Sequence, residues 1–346
     1  MIASIHQPHP PRGVILEADA LSALGKLPTA SIDTVVTSPP YFRLRNYGVD
    51  GQLGLERSVE EWVSELRAIA RQLARVLVPT GTLWLNLGDS YSTHVREGAP
   101  RKSLLFGPER LAMALSEDGW ILRNKIVWAK TNTTPSSVTD RLSTKHEVIY
   151  VLSRAPRYFF DLDAIRIPHT SRRPKPRATS PIPQPARPSW LGPNSDGDRG
   201  LAAMHRDGIQ GHPLGKNPGD VWTLSVSRYP GAHFATYPVH LVTRMLLAGC
   251  PERRCVKCRA PWTRPLKRHG RSATRLPLAP TCDCSVASEP GLVLDPFMGS
   301  GTTALAAEQL GRDWLGIELN PQFAKLARER LASARITTTT NRKEVA

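Results

Sequence analysis

Three short strings in this 346-residue sequence hold residue types that chemistry needs. The first is Thr37-Ser38-Pro39-Pro40-Tyr41-Phe42, directly after the apolar run Ile32–Thr37. Two consecutive prolines fix the backbone, so the Ser38 hydroxyl, the Pro39 carbonyl and the Tyr41 ring are offered together. Both oxygens can accept from an exocyclic amino group, and the ring can stack on a base. Pro-Pro-Tyr alone would equally describe a turn over a buried tyrosine. The second string is Asp295-Pro296-Phe297-Met298-Gly299-Ser300-Gly301-Thr302-Thr303, between an apolar run and a helical one. Its glycines let the backbone turn sharply and approach a ligand, and Glu318 ends the following strand. Backbone over a polar tail and a carboxylate on ribose hydroxyls suit a nucleoside. The string lacks Gly-x-Gly-x-x-Gly, against a dinucleotide, and Gly-Lys-Ser/Thr, against a nucleoside triphosphate. The third is Cys255-x-x-Cys258 with Cys282-x-Cys284, two close pairs that suit a tetrahedral, closed and hence structural zinc site. Four reduced thiols in a loop are the plainer alternative.

These strings need a scaffold, and periodicity predicts one. Val14–Ala18, Ile32–Thr37, Thr82–Leu87, Ile121–Trp128, Glu147–Leu152 and Trp314–Glu318 read as strands. Ser58 to Val78 reads as a helix, opened by a Ser58/Glu61 capping box and stopped by Pro79. Further helices are predicted at His240–Gly249, from Thr302 to Leu310 with Gly311 as stop, and after Asn320 with Pro321 at its first turn. Helices between strands imply crossovers and a largely parallel sheet. Asp89 and His146 stand at strand ends. Asp89 could line a pocket or cap a helix, and His146 reads as structural.

Composition bounds the rest. Forty-six basic against 30 acidic residues give a net charge of +16, which attracts polyanions and makes nucleic acid the leading partner. No signal peptide and no membrane-length apolar run stands in the sequence, so a cytoplasmic protein with reduced cysteines is expected. Eight prolines and five Arg or Lys residues between Pro168 and Pro193 bar regular structure there, and the charge suits a phosphate backbone. The cysteine segment also carries Arg253, Arg254, Lys257, Arg259, Arg264, Lys267, Arg268, Arg271 and Arg275, a basic knob that could grip phosphates or simply be solvated.

Together the first two strings resemble the amino-methylating, S-adenosylmethionine-dependent DNA methyltransferases. In that family Asp-Pro-Phe-x-Gly-x-Gly-Thr-Thr is the cofactor motif and (Ser/Asp)-Pro-Pro-Tyr the catalytic one. The catalytic string comes first here and the cofactor string last, as in the circularly permuted β group. The resemblance covers residues 13–160 and 220–332, with Asn217–Trp222, the His233–Glu252 segment and Ile317–Asn320 also fitting. It implies an α/β, Rossmann-like sheet of the seven-stranded type with helices on both faces and a DNA-recognition insertion, to which the cysteine spacing adds a small zinc-binding insert. The expected division is 1–160 as catalytic half, 161–219 as recognition insertion, 220–252 with 290–334 as cofactor half, 253–289 as zinc insert, and 335–346 as flexible tail. Implied cofactor contacts are Asp295, Pro296, Phe297, Gly299, Ser300, Gly301, Thr302, Glu318, Asn320 and Asp19. Asp19 would lie near the adenine, although a strand-end Asp can also cap the next helix.

Ser-Pro-Pro-Tyr is typical of cytosine-N4 methylation, and Asp-Pro-Pro-Tyr of adenine-N6. Ser38 therefore points to cytosine N4. Carbon-5 methylation needs a nucleophilic cysteine, usually after proline, and no Pro-Cys pair occurs. An aromatic amine is a poor nucleophile. Acceptors at Ser38 and Pro39, with Pro40 fixing the turn, would favour a pyramidal nitrogen whose lone pair faces the sulfonium methyl. The base would flip from the duplex and stack on Tyr41. Expected partners are double-stranded DNA and a cognate restriction endonuclease, with no membrane, for a monomer or homodimer near the nucleoid. Adenine-N6 methylation by the same fold, an RNA methyltransferase and a non-catalytic zinc-containing DNA-binding protein are the alternatives.

Overall fold

The computed structural model describes residues 10–133, 135–169, 211–226, 237–269 and 272–344. The chain divides into two compact units. The larger comprises Met1–Asp161, Gly219–Thr263 and Leu278–Ala346, and the smaller Leu162–Pro218 and Arg264–Pro277.

In the larger unit, elements follow the chain as β1 (Val14–Glu17), α1 (Ala20–Lys26), β2 (Ile32–Thr37), α2 (Val59–Val76), β3 (Leu77–Leu87), α3 (Gly107–Glu117), β4 (Ile121–Lys130) and β5 (His146–Ser153). Then come β6 (Val221–Leu224), α4 (Val239–Gly249), β7 (Arg253–Cys255), β10 (Ser288–Pro290), β11 (Leu292–Asp295), α5 (Thr302–Gln309), β12 (Asp313–Glu318) and α6 (Pro321–Glu344). Eight strands form one sheet in the order β1-β12-β11-β2-β3-β5-β4-β6. All neighbours are parallel except at β5, which runs antiparallel to both β3 and β4. The expectation of a seven-stranded type is thereby corrected to a mixed sheet of eight. The described residues joining β4 to β5 form no helix, so the chain returns directly and the pair is antiparallel.

Alternation on the central strands divides the core. Leu83, Leu85 and Leu87 share one cluster with Leu24 of α1, Trp62, Leu66 and Leu73 of α2, and Leu111 and Leu115 of α3. Helices α4 and α5 bury the opposite sheet face. Gly249 of α4 comes so close to Trp84 that an added Cβ would lie 2.2 Å from its indole nitrogen.

Two boundaries differ from the sequence reading. Ser58 caps α2 by accepting from Glu61 N at 3.2 Å, but the Glu61 carboxylate accepts from Arg57 N at 3.0 Å, so only half of the capping box forms. The helix ends at Val76, before Pro79. Strand β3 starts at once, with Pro79 and Gly81 inside it where pairing with β2 slips between Ile32 and Thr34. Proline fits there because a bulge needs no ladder donor. At the other end, α6 continues past Ala334, where the sequence reading places a flexible tail.

The cysteine segment is divided. β7 and β10 pair antiparallel within the larger unit. Arg254 of β7 has no exposed side-chain surface and meets Asp33 and Glu289, each at 2.8 Å. Arg259 donates to the carbonyl of Ala30. Two of the nine basic residues of the expected phosphate-gripping knob therefore point into the protein as structural cations.

In the smaller unit, β8 (Leu266–His269) and β9 (Ser272–Arg275) form a hairpin, Ile167 bridges Lys216, and Arg166 pairs with Asp163 at 2.5 Å. The proline-rich stretch 170–193 and the following residues to 210 lie outside the described residues.

Candidate active site

Strands β1, β12, β11 and β2 are neighbours and parallel, so their carboxyl ends deliver Asp19, Glu318, the Asp295–Thr303 turn and Ser38 to one edge of the sheet. A cleft opens there, the usual place for a ligand in a parallel sheet. Asp19, Ser38, Pro40, Pro296, Phe297, Gly299, Ser300, Thr302, Glu318 and Asn320 all line it. Pro39, Tyr41, Asp295 and Gly301, also named from the sequence, do not reach its wall.

Asp295 explains its own position. It is 1% exposed. It accepts from Thr37 Oγ1 at 2.7 Å, Thr303 Oγ1 at 2.6 Å, Tyr237 Oη at 3.0 Å and Phe297 N at 3.1 Å. Burial raises its carboxyl and those donors oppose the rise. The residue ties β11, β2 and α5 together beneath the turn. Gly299 and Gly301 carry φ of 52° and 78°, a region that favours glycine. At Gly301 an added Cβ would also lie 3.1 Å from that of Ala327.

Glu318 is the buried one of the two carboxylates lining the cleft. Its oxygens accept from Gly299 N at 2.7 Å and Asn320 N at 2.8 Å, binding the turn after β11 to the turn after β12. Burial raises its carboxyl against these donors. Asn320 also accepts from Gln322 N at 2.9 Å, opening α6 as expected. Asp19 lines the cleft and also caps α1, accepting from Ser22 N at 2.8 Å. An acidic pair at strand ends, a glycine turn and the rings of Tyr47, Phe297 and Phe323 give a donor set that fits a nucleoside with a polar tail.

The Ser38–Tyr41 string is held from behind. Trp62 Nε1 donates to the Pro40 carbonyl at 2.9 Å. Among the described residues no protein donor reaches the Pro39 carbonyl. Ser38 Oγ lies 3.0 Å from Tyr41 Oη, and Tyr41 Oη donates to Glu147 Oε2 at 2.7 Å. The Tyr41 ring packs on Gly88, where a Cβ would lie 2.7 Å from Cε2. Burial and the neighbouring Glu147 carboxylate push the Tyr41 phenol well above its ordinary value. Asp89, weighed as a pocket residue, instead accepts from Phe106 N and Gly107 N at the start of α3, at 3.0 and 3.1 Å. His146 is exposed at the start of β5.

The four cysteines come together. Their sulfurs all lie within 4.8 Å of one another, and a zinc tetrahedron with bonds of about 2.3 Å needs roughly 3.8 Å between sulfurs. Burial pushes the Cys255 thiol up. The N–H groups of Cys258 and Lys257, with the facing thiols, outweigh that and leave it below its ordinary value. Cys250 is fully buried and apart from this group.

Sequence reading missed the wall contributed by Tyr47, Val49, Gln52, Leu53, Tyr237, Met298 and Phe323, and the polar residues Asn86, Lys130 and Glu147 behind Ser38. The Tyr47–Phe323 contact, edge-on at 6.0 Å, joins segments far apart in the chain. Glu147 opens a strand, a position that reaches the ligand edge only because β5 is antiparallel.

Fold and site define an α/β methyltransferase. Residues 32–329 match the N6/N4 family model described as DNA methylase, and the chain belongs to that family of DNA methyltransferases. It is 32% identical to the Type II methyltransferase M.Cfr9I of Citrobacter freundii over 92% of this chain and 87% of the relative. It is also 32% identical to the Type II methyltransferase M.SmaI of Serratia marcescens, over 93% and 91%. Among solved structures, the cytosine-N4-specific PvuII DNA methyltransferase shares the fold with a TM-score of 0.56, at 18% identity over 94% of this chain and 92% of that one. A Thermus thermophilus protein solved with S-adenosyl-L-methionine gives a TM-score of 0.51 at 24% identity, over 92% and 95%. Among the described residues no helix is long and apolar enough to cross a membrane.

Proposed function

We propose that the protein methylates the N4 amino group of a cytosine flipped out of duplex DNA, with S-adenosylmethionine as methyl donor. The observation that carries this reading is Ser38 on the wall of the same cleft as Glu318 and the Gly299 turn. S-adenosylmethionine, when bound, supplies a sulfonium methyl as electrophile. Glu318 and Asp19 would hold its hydroxyls and adenine end, with Phe297 among the rings lining the cleft. Ser38 Oγ and the Pro39 carbonyl, which no described protein donor occupies, would accept from the target amine and keep its lone pair out of the ring. Tyr41, fixed at its hydroxyl, would offer its ring to the base. The excess of positive charge suits the DNA backbone. The Type II names of its relatives support a place beside a restriction endonuclease. The four cysteines would hold one structural zinc, for the donor set is closed and thiolate-rich.

Methylating unmodified DNA, digesting it to nucleosides and identifying the product by mass tests the reading. N4-methylcytosine is expected. N6-methyladenine would reassign the base, and no methylated nucleoside would overturn the function.

A further inference from the structure

We propose that Glu147 is the terminal proton acceptor of the methyl-transfer site, reached from Ser38 through the hydroxyl of Tyr41. The proposal rests on the amine-methylating reading above, and it holds for either base.

Methyl transfer to an amine leaves a proton to dispose of. The nitrogen lone pair becomes the new N–C bond, and the electron pair of the S–C bond leaves with sulfur. The nitrogen would then carry four bonds and a positive charge. Neutrality returns when one N–H bond gives its pair to nitrogen and its proton to an acceptor. Ser38 Oγ is placed to accept, but a hydroxyl that takes a proton must pass one on.

The structure provides the continuation. Tyr41 Oη donates its own hydrogen to Glu147 Oε2 at 2.7 Å. At its 3.0 Å contact with Ser38 it is therefore the acceptor, and Ser38 the donor. Ser38 lone pairs remain for the amine. Each oxygen can take one proton and release another. The proton leaves the amine for Ser38 Oγ, the Ser38 hydrogen moves to Tyr41 Oη, and the Tyr41 hydrogen moves to Glu147 Oε2. The positive charge that begins on sulfur ends by neutralising a carboxylate, and neither hydroxyl is left ionised. That fits a tyrosine whose phenol is hard to ionise.

Two further residues hold the line in place. Asn86, 2% exposed, donates to Glu147 Oε2 at 2.7 Å and to Tyr41 Oη at 2.8 Å. Its own Oδ1 is buried with no partner. Buried polar atoms are rarely left so. Here the cost buys an amide aimed at the carboxylate, since the reversed amide would press oxygen against oxygen. Lys130 Nζ pairs with the other Glu147 oxygen. That contact fixes the orientation of the carboxylate, leaving Oε2 turned to Tyr41. The Glu147 side chain is 14% exposed, which leaves water a route to collect the proton between turnovers.

The test uses the full chain, amplified and hence unmodified genomic DNA, and labelled S-adenosylmethionine under single-turnover conditions. Glu147→Gln and Tyr41→Phe should each slow transfer on the order of 100-fold, the range of a lost proton acceptor. Affinity for S-adenosylmethionine should not change. The double variant should be no slower than the slower single one, because both cut the same line. The wild-type rate should fall in D2O by an isotope effect that both variants lose. Tyr41→Phe keeps the ring on Gly88 and carries the test if Glu147→Gln does not fold. A wild-type rate in either variant, or losses that multiply in the double variant with the isotope effect intact, would overturn the relay alone. No transfer by the wild-type protein would overturn the functional reading beneath it.

Discussion

The indole N–H of Trp62 donates to the carbonyl of Pro40 at 2.9 Å, linking helix α2 to the string that carries Ser38. Pro40 has no N–H of its own, so its carbonyl is the handle by which the fold can grip it. Trp62→Phe keeps an aromatic ring in the core and removes the grip. The expected loss is about 1–2 kcal/mol of stability, with transfer rate falling more than cofactor affinity. Denaturant melts beside single-turnover kinetics check the split.

Ser38→Ala removes an acceptor from the amine and leaves the Glu318 side of the cleft untouched. Transfer should drop on the order of 100-fold or more, while calorimetry should show unchanged S-adenosylmethionine binding. A variant that methylates DNA at the parental rate would refute the role of Ser38.

Asp295→Ala acts differently, because Asp295 lies beneath the cleft rather than on it. The change removes the buried acceptor that Thr37, Thr303 and Tyr237 share. Stability should fall by about 2–4 kcal/mol, and cofactor affinity with it, through a loosened turn. Measured affinity and melting temperature should therefore drop together, unlike the Ser38 result.

Metal removal tests the cysteine cluster. Elemental analysis of the purified protein should find one zinc per chain. Cys255→Ser with Cys258→Ser should release it, lower the melting temperature and open the 256–287 segment to proteases. Equal metal content, melting and cleavage in parent and variant would make the four thiols bystanders.

Arg254→Met leaves Asp33 buried beside an uncharged chain. Removing one partner of such a pair costs about 3–5 kcal/mol at neutral pH. Burial already raises the Asp33 carboxyl to about 6, against the pull of Arg254. A carboxyl raised above its unfolded value favours the folded state when protonated. Its contribution is present below pH about 4 and is lost as pH rises through about 6. Without Arg254 that loss deepens, so the penalty of Arg254→Met should be smaller at pH about 5 than at pH about 7.5. Urea unfolding at both values decides it.

Much of this site was legible in the sequence because its residues follow apolar strands within a few positions. Ser38, Asp295 and Glu318 each inherit their place from a parallel strand that a run of Val, Ile and Leu announces. What sequence could not reveal depended on strand direction and on distance along the chain. Glu147 joins the site because β5 is antiparallel, a property of the missing crossover helix rather than of any residue. Tyr237, Tyr47 and Phe323 are single aromatic residues with no local pattern, and only the sheet order brings them together. Pro79 misled for a local reason: proline stops helices, but a bulged strand tolerates it equally well. At Asp295 a motif fixes which residue stands there and not which way its side chain turns, and the structure turns it onto Thr37, Thr303 and Tyr237.

The pairing of β12 between β1 and β11 also sets a timetable. Val14 leaves the ribosome long before its partner Leu315, with every other strand of the sheet made in between. Until then β1 has no strand partner, and Asp19 stands without Glu318. Contacts of such long sequence separation form slowly, and unpaired strand edges invite association with other chains. The nascent chain therefore carries β1 unpaired until β12 is made, and only then can the two strand-end carboxylates line one cleft.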